Sequence, residues 1–270
     1  MAQPAGAALD GGSDEPRRHH RPTRTLHHLV AGDTEIQSEV LENLSLAVNY
    51  REWIVDLSRP WLGSSPLEVG SGTGDYAQAW AEHGLGITAS EADPVRLAEL
   101  QDRFGGSSAV AVRELAIPID EDAAYSGVVA VNVLEHIEDD VAGLRTFARL
   151  SRPGGHVVLF VPAFPMAMSD FDREVGHFRR YRKRSLTDAL LAAGLEPVTV
   201  HYVNSVGLFG WLLLVKALRG RPRDGVALRI LDRFVIPVLR RVESRVSVPF
   251  GQSLFAVARV PDTTAVPDGD

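Results

Sequence analysis

Three glycines at alternate positions, Gly70, Gly72 and Gly74, follow a short apolar run in the segment LEVGSGTGDYAQAW (residues 67–80). A glycine-rich turn after an apolar strand is typical of a site where a ligand lies close to the backbone, because glycine has no side chain in the way. The ligand could be a nucleoside triphosphate, a dinucleotide or a member of a third class.

Two phosphate-containing ligands fit this segment poorly. A P-loop requires a lysine and then a serine or threonine after its second glycine, and no lysine follows here. The dinucleotide pattern G-x-G-x-x-G/A fits only in the frame Gly72, Gly74 and Ala77. That frame places Asp75 in the first turn of the next helix, where its carboxylate would compete with a pyrophosphate. An NAD(P)-dependent oxidoreductase is therefore a weak candidate function. A second alternative is a protein with the fold of an enzyme that binds a ligand without catalysing a reaction.

S-adenosylmethionine is the third candidate, because it contains a nucleoside but no phosphate. Its sulfonium and amino groups are positive, so a carboxylate at the strand end, Glu68, would attract them. The segment EVGSGTG resembles the first motif of the class I methyltransferases, an acidic residue followed by G-x-G-x-G, at every position. The resemblance implies S-adenosylmethionine as the cofactor, bound by Glu68, Gly70, Gly72 and Gly74.

Further landmarks of this family follow in order, over about residues 45–203. Glu91 ends the next predicted strand, 21 residues after Gly70, and a carboxylate there can accept both hydroxyls of a ribose. Ser126 stands where many relatives have an acidic residue, which alters the expected local hydrogen bonding but not the expected cofactor. By resemblance, the motifs REL and NVLEHIED supply further cofactor contacts from Glu114, Leu115, Asn132 and Leu134.

The segment beyond the predicted fifth strand contains the candidate acceptor site, because ligands of open α/β sheets bind beyond the carboxyl ends of the strands. It reads D-x-x-x-G-H-x-R-R-Y from Asp172 to Tyr181 and resembles a subgroup of bacterial type 11 methyltransferases. We expect His177 and Tyr181 to be catalytic, with His136 as an alternative base, and Asp172 and Arg180 to bind the substrate. The alternative is a solvated basic turn that caps the following helix.

Methyl transfer is an in-line displacement at a carbon that the sulfonium already activates. The enzyme mainly has to hold the nucleophile about 3 Å from the methyl group. A base is needed only where the acceptor must lose a proton. The sequence therefore predicts methyl transfer to a small-molecule or lipid-linked acceptor. It does not distinguish whether the acceptor atom is oxygen, nitrogen or carbon.

The composition excludes several other kinds of site. The 270-residue chain has no cysteine and therefore no disulfide, thiolate metal site or cysteine nucleophile. We expect no metal, because the histidines at positions 19, 20, 27 and 28 lack nearby carboxylate or thiol partners. The net charge of −7 argues against a nucleic-acid partner. Because the chain lacks an apolar run long enough for a membrane span and an apolar segment of the kind found in secretory signals, we expect it to be cytoplasmic.

Alternating strands and helices must position these residues. The pattern predicts an α/β fold with a doubly wound, seven-stranded, mostly parallel sheet, the Rossmann-like fold of methyltransferases. We expect a methyltransferase domain at 25–260 with an N-terminal helix over 34–58, and disordered ends at 1–24 and 261–270.

Two predicted elements bear on the candidate site. The fourth strand is predicted to run through GVVAVNVLEH, to His136. The helix that begins at DDVAGL is predicted to stop at Pro153 and Gly154, before a central fifth strand, HVVLFVPA.

A helical insertion is predicted over 204–250, between the sixth and seventh strands. An apolar segment, VGLFGWLLLV, precedes residues 216–245, which hold nine Lys or Arg and three acids, a local charge of +6. The segment ALRILDRFVIPVLRRVESRV has an apolar face, and Pro237 is expected to kink it. The insertion could form a lid, a dimer contact or a cover for the sheet edge. Alternatively, 206–245 could contact an anionic membrane peripherally, which would favour a hydrophobic acceptor.

Overall fold

The computed structural model describes residues 46–217 and 225–262. Within these ranges seven strands form one sheet in the order β3-β2-β1-β4-β5-β7-β6. The pairs among β1 to β5 are parallel, and β7 runs antiparallel to both β5 and β6. This confirms the predicted doubly wound, mostly parallel sheet. The strands are β1 Leu67–Val69, β2 Ile87–Glu91, β3 Val110–Glu114, β4 Tyr125–Val131, β5 Ser151–Pro162, β6 Glu196–Val203 and β7 Ser253–Arg259.

Helices connect these strands on both faces of the sheet. Asp93 caps the helix Pro94–Phe104 as predicted, because its side chain accepts hydrogen bonds from the amides of Val95 and Arg96 and Pro94 occupies the first turn. The α-helices that the structure describes before the insertion are α1 Val48–Leu62, α2 Asp75–Glu82, α3 Pro94–Phe104, α4 Asp140–Leu150, α5 Asp170–Glu174 and α6 Lys183–Ala192. The predicted residue 1–24 arm, the start of the predicted 34–58 helix and residues 263–270 lie outside the described residues.

Several predicted boundaries are wrong. Helix α1 continues to Leu62, four residues past its predicted end at residue 58. Strand β4 ends at Val131, because Asn132 has a φ of +53° and turns the chain. Helix α4 ends at Leu150, and the Pro153–Gly154 pair lies inside β5. The register of β5 against β4 shifts near this pair, and a proline is tolerated at such an irregularity because it donates no ladder hydrogen bond.

Strand β5 places the core on both faces of the sheet. Its residues Val157, Leu159 and Val161 belong to one apolar layer, whereas Val158 and Phe160 belong to the other. Successive side chains of a strand point to opposite faces, so this pattern shows a strand buried on both sides, as predicted for the central strand. The carboxyl ends of β1, β2, β4 and β5 consequently lie along one edge of the sheet.

Ser126 closes the opposite end of β4. Its hydroxyl donates to the carbonyl of Leu62 at 2.6 Å and accepts from the amide of Ser65 at 2.8 Å. Ser126, which stands where the family resemblance leads one to expect an acidic residue, therefore has both a donor and an acceptor partner for its hydroxyl.

The described part of the insertion is helical, as predicted. Helix α7 spans Ser205–Gly210 and continues as a π-helical segment, Trp211–Ala217. Helix α8 spans Gly225–Ile230, and a second π-helical segment, Leu231–Val235, leads into α9, Ile236–Glu243. Pro237 lies in the first turn of α9, so the departure from α-helical geometry precedes the proline. Among the helices described, none has the length and apolarity needed to cross a membrane.

Two carboxylates attach the insertion to the fold. The buried side chain of Asp232 accepts hydrogen bonds from the amides of Asn49 and Tyr50 at 2.9 and 2.8 Å, at the first turn of α1. Glu243 accepts from the amides of Asn204 and Ser205, each at 2.9 Å. These bonds attach the α8–α9 segment to α1 and to the end of β6.

Candidate functional site

Two serines join the glycine-rich loop to β2. The amide of Ser71 donates to the carbonyl of Ser90 at 2.8 Å, and the amide of Ser90 donates to the Ser71 hydroxyl at 3.0 Å. The Ser90 hydroxyl in turn donates to the carbonyl of Glu68 at 2.7 Å. The loop after β1 is therefore held directly beside the carboxyl end of β2.

The three glycines all have positive φ angles, of 69°, 56° and 84° in chain order. A Cβ atom on Gly70 would lie 2.7 Å from Val133 Cγ2, and one on Gly74 would lie 2.5 Å from Phe104 Cε2. The packing of the loop against its neighbours thus requires glycine at these two positions. The contact with Val133 also brings the loop against the turn that follows β4.

Two buried carboxylates converge on this loop. Glu68 accepts a hydrogen bond from the Ser71 hydroxyl at 2.7 Å, and burial raises the pKa of Glu68 to about 8, with a smaller contribution from the nearby Glu91 charge. Glu91 Oε2 accepts from the amide of Gly72 at 2.9 Å. Both side chains lie where a positively charged ligand would be stabilised.

The Glu91 carboxylate already has several backbone partners. Its Oε1 accepts from the amides of Ala92 and Asp93 at 2.9 and 3.0 Å, besides the bond from Gly72 to Oε2. A carboxylate has about four acceptor positions. The predicted acceptance of both ribose hydroxyls would therefore require one of these three bonds to be exchanged.

Arg96 is a residue of this site that the sequence did not reveal. Its side chain is buried, its Nε lies 3.8 Å from Glu91 Oε1, and that Nε has no hydrogen-bond partner within residues 46–217 and 225–262. Its position in the first turn of α3, five residues after Glu91, is the only signal in the sequence, and a solvated arginine would give the same signal.

The remaining predicted cofactor residues lie at the same edge of the sheet. Glu114 and Asn132 are exposed at the ends of β3 and β4. Leu115 is buried, and its amide donates to the carbonyl of Glu91 at 3.1 Å. Leu134 is fully buried. The structure thus brings these residues near the loop, and their contacts with a cofactor stay a prediction.

On the acceptor side, Asp172 is the centre of a buried polar network. Its Oδ1 accepts from His177 Nδ1 and Arg180 Nε, each at 2.9 Å, and its Oδ2 accepts from the amide and hydroxyl of Ser169. Burial alone would raise the pKa of Asp172, but the His177 hydrogen bond and the Arg180 charge outweigh burial and hold that pKa at about 2. The guanidinium of Arg180 also lies 4.4 Å from the centre of the Trp211 ring. Asp172 and Arg180 thus compensate each other inside the protein, which favours a positioning role over direct substrate binding.

The turn after β4 brings Glu135 and His136 against His177. His177 Nε2 lies 3.8 Å from Glu135 Oε1, and the rings of the two histidines meet edge to face with their centres 4.6 Å apart. Burial raises the pKa of Glu135 to about 7. Burial, together with the smaller effect of the His177 charge, lowers the pKa of His136 to about 3. At neutral pH His136 is therefore an uncharged imidazole, and it lies beside His177, the other histidine of the predicted site.

Tyr181 occupies a different position from the one expected. Its side chain is 2% exposed and packs in the core, and its hydroxyl donates to Asp140 Oδ2 at 2.8 Å. Burial, together with the Asp140 charge, raises the pKa of Tyr181 well above its usual range. Its backbone forms a bridge with Ala163 beyond β5. This arrangement favours a structural role for Tyr181 over the predicted catalytic one.

Comparisons with known proteins agree with this geometry. A family model described as a methyltransferase domain matches residues 44–200. The ubiquinone biosynthesis O-methyltransferase of Bordetella avium (strain 197N) is 33% identical over 111 residues, which make up 39% of this chain and 46% of that protein. The chain spans less than half the length of the curated relatives it matches.

Two solved structures share the fold. The crystal structure of the [4+2]-cyclase SpnF aligns with a TM-score of 0.53 and 21% identity, over 78% of this chain and 82% of that one. The Burkholderia thailandensis 1,6-didemethyltoxoflavin-N1-methyltransferase, with bound 1,6-didemethyltoxoflavin and S-adenosylhomocysteine, aligns with a TM-score of 0.50 and 19% identity, over 77% of each chain. At these identities the likeness shows the fold alone, and a cyclase shares it with a methyltransferase.

Proposed function

The chain belongs to the methyltransferase domain family, and from this premise we propose that it transfers a methyl group from S-adenosylmethionine to a small-molecule or hydrophobic acceptor. The observation that carries the proposal is the convergence of Glu68 and Glu91 on the glycine-rich loop between β1 and α2. Two carboxylates beside a glycine-rich loop, whose backbone a ligand can approach closely, suit a cofactor that has a ribose and positive groups but no phosphate.

The position of Asp75 argues against a dinucleotide. Asp75 begins α2, directly after Gly74, and its Oδ1 pairs with Arg103 Nη1 at 2.9 Å. A pyrophosphate at this helix N-terminus would meet the carboxylate rather than free amides. The ion pair neutralises part of the Asp75 charge, so it weakens this argument against a dinucleotide, and dinucleotide binding must be tested directly.

A thermal-shift comparison separates these alternatives. S-adenosylhomocysteine at 100 times its dissociation constant should raise the free energy of unfolding by about 2.7 kcal/mol, whereas NAD and NADP should not. A shift with NAD or NADP alone would favour an oxidoreductase. The absence of a shift with all three ligands would contradict cofactor binding. Labelled S-adenosylmethionine added with cell extracts would then reveal whether any acceptor is methylated.

The acceptor would approach the cluster of Glu135, His136 and His177, because Val133, two residues before Glu135, packs against the glycine-rich loop at Gly70. His177 is held by the ionised Asp172, in the arrangement of a base and the residue that orients it. We propose His177 as the base for an oxygen or nitrogen acceptor. His177→Gln should lower turnover much more than affinity for S-adenosylhomocysteine, and equal turnover would contradict the role. His83→Gln, at a surface His–Glu pair, is the matched control.

The exposed side of the α8–α9 segment supports a peripheral membrane contact. Ile230, Phe234, Val238 and Val242 recur every four residues and are each 50–65% exposed. Residues at this spacing lie along one side of a helix. Exposed arginines recur at the same spacing, beside the apolar residues, at positions 229 and 233 and at 241 and 245. An apolar stripe beside a basic stripe is the pattern of an interfacial helix on anionic lipid.

Vesicle flotation tests this contact. The full chain should float with vesicles that contain anionic phosphatidylserine at low salt and should not float with neutral phosphatidylcholine vesicles. The double substitution Phe234→Ser with Val238→Ser should abolish flotation, whereas Leu191→Ser, at an exposed leucine on α6, should not. If the parent chain ignores anionic vesicles, the insertion is a packing element or lid and a soluble acceptor is favoured.

A further inference from the structure

Glu135, His136 and His177 form a cluster with the composition of a metal site. Each offers one ligand atom, and these atoms all lie within 4.8 Å of one another. In a tetrahedral site with bonds of about 2.0–2.1 Å, ligand atoms are about 3.4 Å apart. The 3.8 Å between His177 Nε2 and Glu135 Oε1 is close to that spacing, and the distances that involve His136 lie within 4.8 Å, so the side chains would have to draw together around an ion.

The cluster contains polar atoms that the described protein leaves unsatisfied. Glu135 is 0% exposed, and neither of its carboxylate oxygens has a hydrogen-bond partner in the part of the chain that the structure describes. The same holds, within those residues, for His136 Nδ1. Buried polar groups are nearly always hydrogen-bonded or bound to an ion, because their desolvation is otherwise uncompensated. A buried carboxylate and a buried imidazole nitrogen that lie side by side, with no partner among the described residues, can be satisfied together by one metal ion.

The surroundings of His177 fit the same role. Its Nδ1 is bonded to Asp172, which leaves Nε2 directed toward Glu135. Histidines that bind a metal usually donate their other ring N–H to a carboxylate, which fixes the tautomer and orients the ring. Asp172 is itself fixed by Ser169 and Arg180, so the imidazole is held before any ion binds.

We infer that Glu135, His136 and His177 bind one divalent transition-metal ion, with zinc as the best match to two imidazoles and one carboxylate. Three protein ligands leave a coordination position for another molecule. The sequence did not predict this site, because Glu135 and His136 are 41 residues or more from His177 along the chain.

Metal binding would change how the cluster acts on an acceptor, and this consequence rests on the proposed function. A histidine bound to a metal through Nε2 cannot accept a proton there. The ion would instead bind an acceptor oxygen in the open position and lower its pKa, so that the proton is lost to solvent. Base catalysis by His177 would then describe only the metal-free protein.

Cobalt titration tests the binding itself, without cofactor or acceptor. We would use the full chain, free of affinity tags, with histidines 19, 20, 27 and 28 changed to glutamine to remove competing sites. Visible d–d absorption should saturate at one Co²⁺ per chain, and Zn²⁺ should displace it. Glu135→Gln and His177→Gln should each weaken Co²⁺ affinity at least 100-fold. Asp172→Asn keeps all three ligands but alters the bond that orients His177, so it should weaken Co²⁺ affinity about 10–100-fold, measured under conditions in which this variant is folded.

The matched control is His83→Gln, which removes a histidine from the surface pair with Glu52 and should bind Co²⁺ like the parent. Glu135→Gln keeps the side-chain size, so it decides the question if His177→Gln does not fold. No saturable Co²⁺ uptake by the parent, or uptake that both substitutions leave unchanged, would overturn the site. The S-adenosylhomocysteine thermal shift is measured without metal, so its failure would instead count against the proposed function.

Discussion

Binding of the cofactor should be coupled to the ionisation of Glu68. Burial raises the pKa of this carboxyl to about 8, so it is mostly protonated in the ligand-free protein at neutral pH. S-adenosylhomocysteine has a protonated amino group, which favours the carboxylate form. Binding should therefore release a proton, and affinity should rise with pH.

The magnitude follows from the fraction of Glu68 that is already ionised. With a pKa of about 8, the carboxylate fraction rises from roughly 1% at pH 6 to roughly 24% at pH 7.5. Affinity should consequently increase about 25-fold over this interval, equivalent to about 1.9 kcal/mol. The interval ends at pH 7.5, below the range in which the amino group of the ligand loses its own proton.

Calorimetry in two buffers with different ionisation enthalpies would measure both affinity and proton release. The parent should release close to one proton per ligand near pH 6. Glu68→Gln should bind with an affinity that hardly changes between pH 6 and 7.5. Glu99→Gln, at an exposed position on α3, should behave like the parent. A parent affinity that is the same at both pH values, or a pH dependence that survives Glu68→Gln, would refute the coupling.

Three further predictions concern single side chains. Glu91→Ala should weaken S-adenosylhomocysteine binding by roughly 1.5–3 kcal/mol in calorimetry, and unchanged affinity would remove Glu91 from the ribose site. Gly74→Ala places a methyl group 2.5 Å from the Phe104 ring at a φ of +84°, so urea unfolding should show a loss of about 2–4 kcal/mol. Asp172→Asn leaves the buried Arg180 without its counterion and should cost about 3–5 kcal/mol at pH 7. Because the pKa of Asp172 is lowered to about 2, its contribution in the parent is present above about pH 4 and is lost as the pH falls through 2, which acid unfolding should reveal.

The sequence predicted the sheet and the position of the glycine-rich loop well, because both depend on local patterns. The alternation of apolar strands with capped helices fixes the order of elements, and β6 has the bounds of the predicted segment EPVTVHYV. The end of β4 was missed because it depends on one left-handed residue, Asn132, inside an otherwise apolar run. Asparagine tolerates that conformation without requiring it, so its presence in the sequence does not mark a turn.

The acceptor side was less predictable, because burial there is a tertiary property. Tyr181 lies in the basic stretch HFRRYRKR, which suggests an exposed phenol, but its backbone pairs beside β5 and turns the ring into the core. Glu135 gives no local sign that its carboxylate lacks partners in the described structure, since only the surrounding side chains determine that. Its position beside His177 depends on the close approach of two segments that are distant along the chain.

The attachment of the insertion affects how the protein would leave a lipid surface. Asp232 and Glu243 hold it through hydrogen bonds to backbone amides at 2.8–2.9 Å, and Asp232 is 4% exposed. Such short, partly buried bonds are screened weakly by salt, whereas attraction between exposed arginines and lipid head groups falls steeply with ionic strength. If the proposed lipid contact forms, salt should therefore detach the protein with the insertion still in place, and neither release nor rebinding would require refolding.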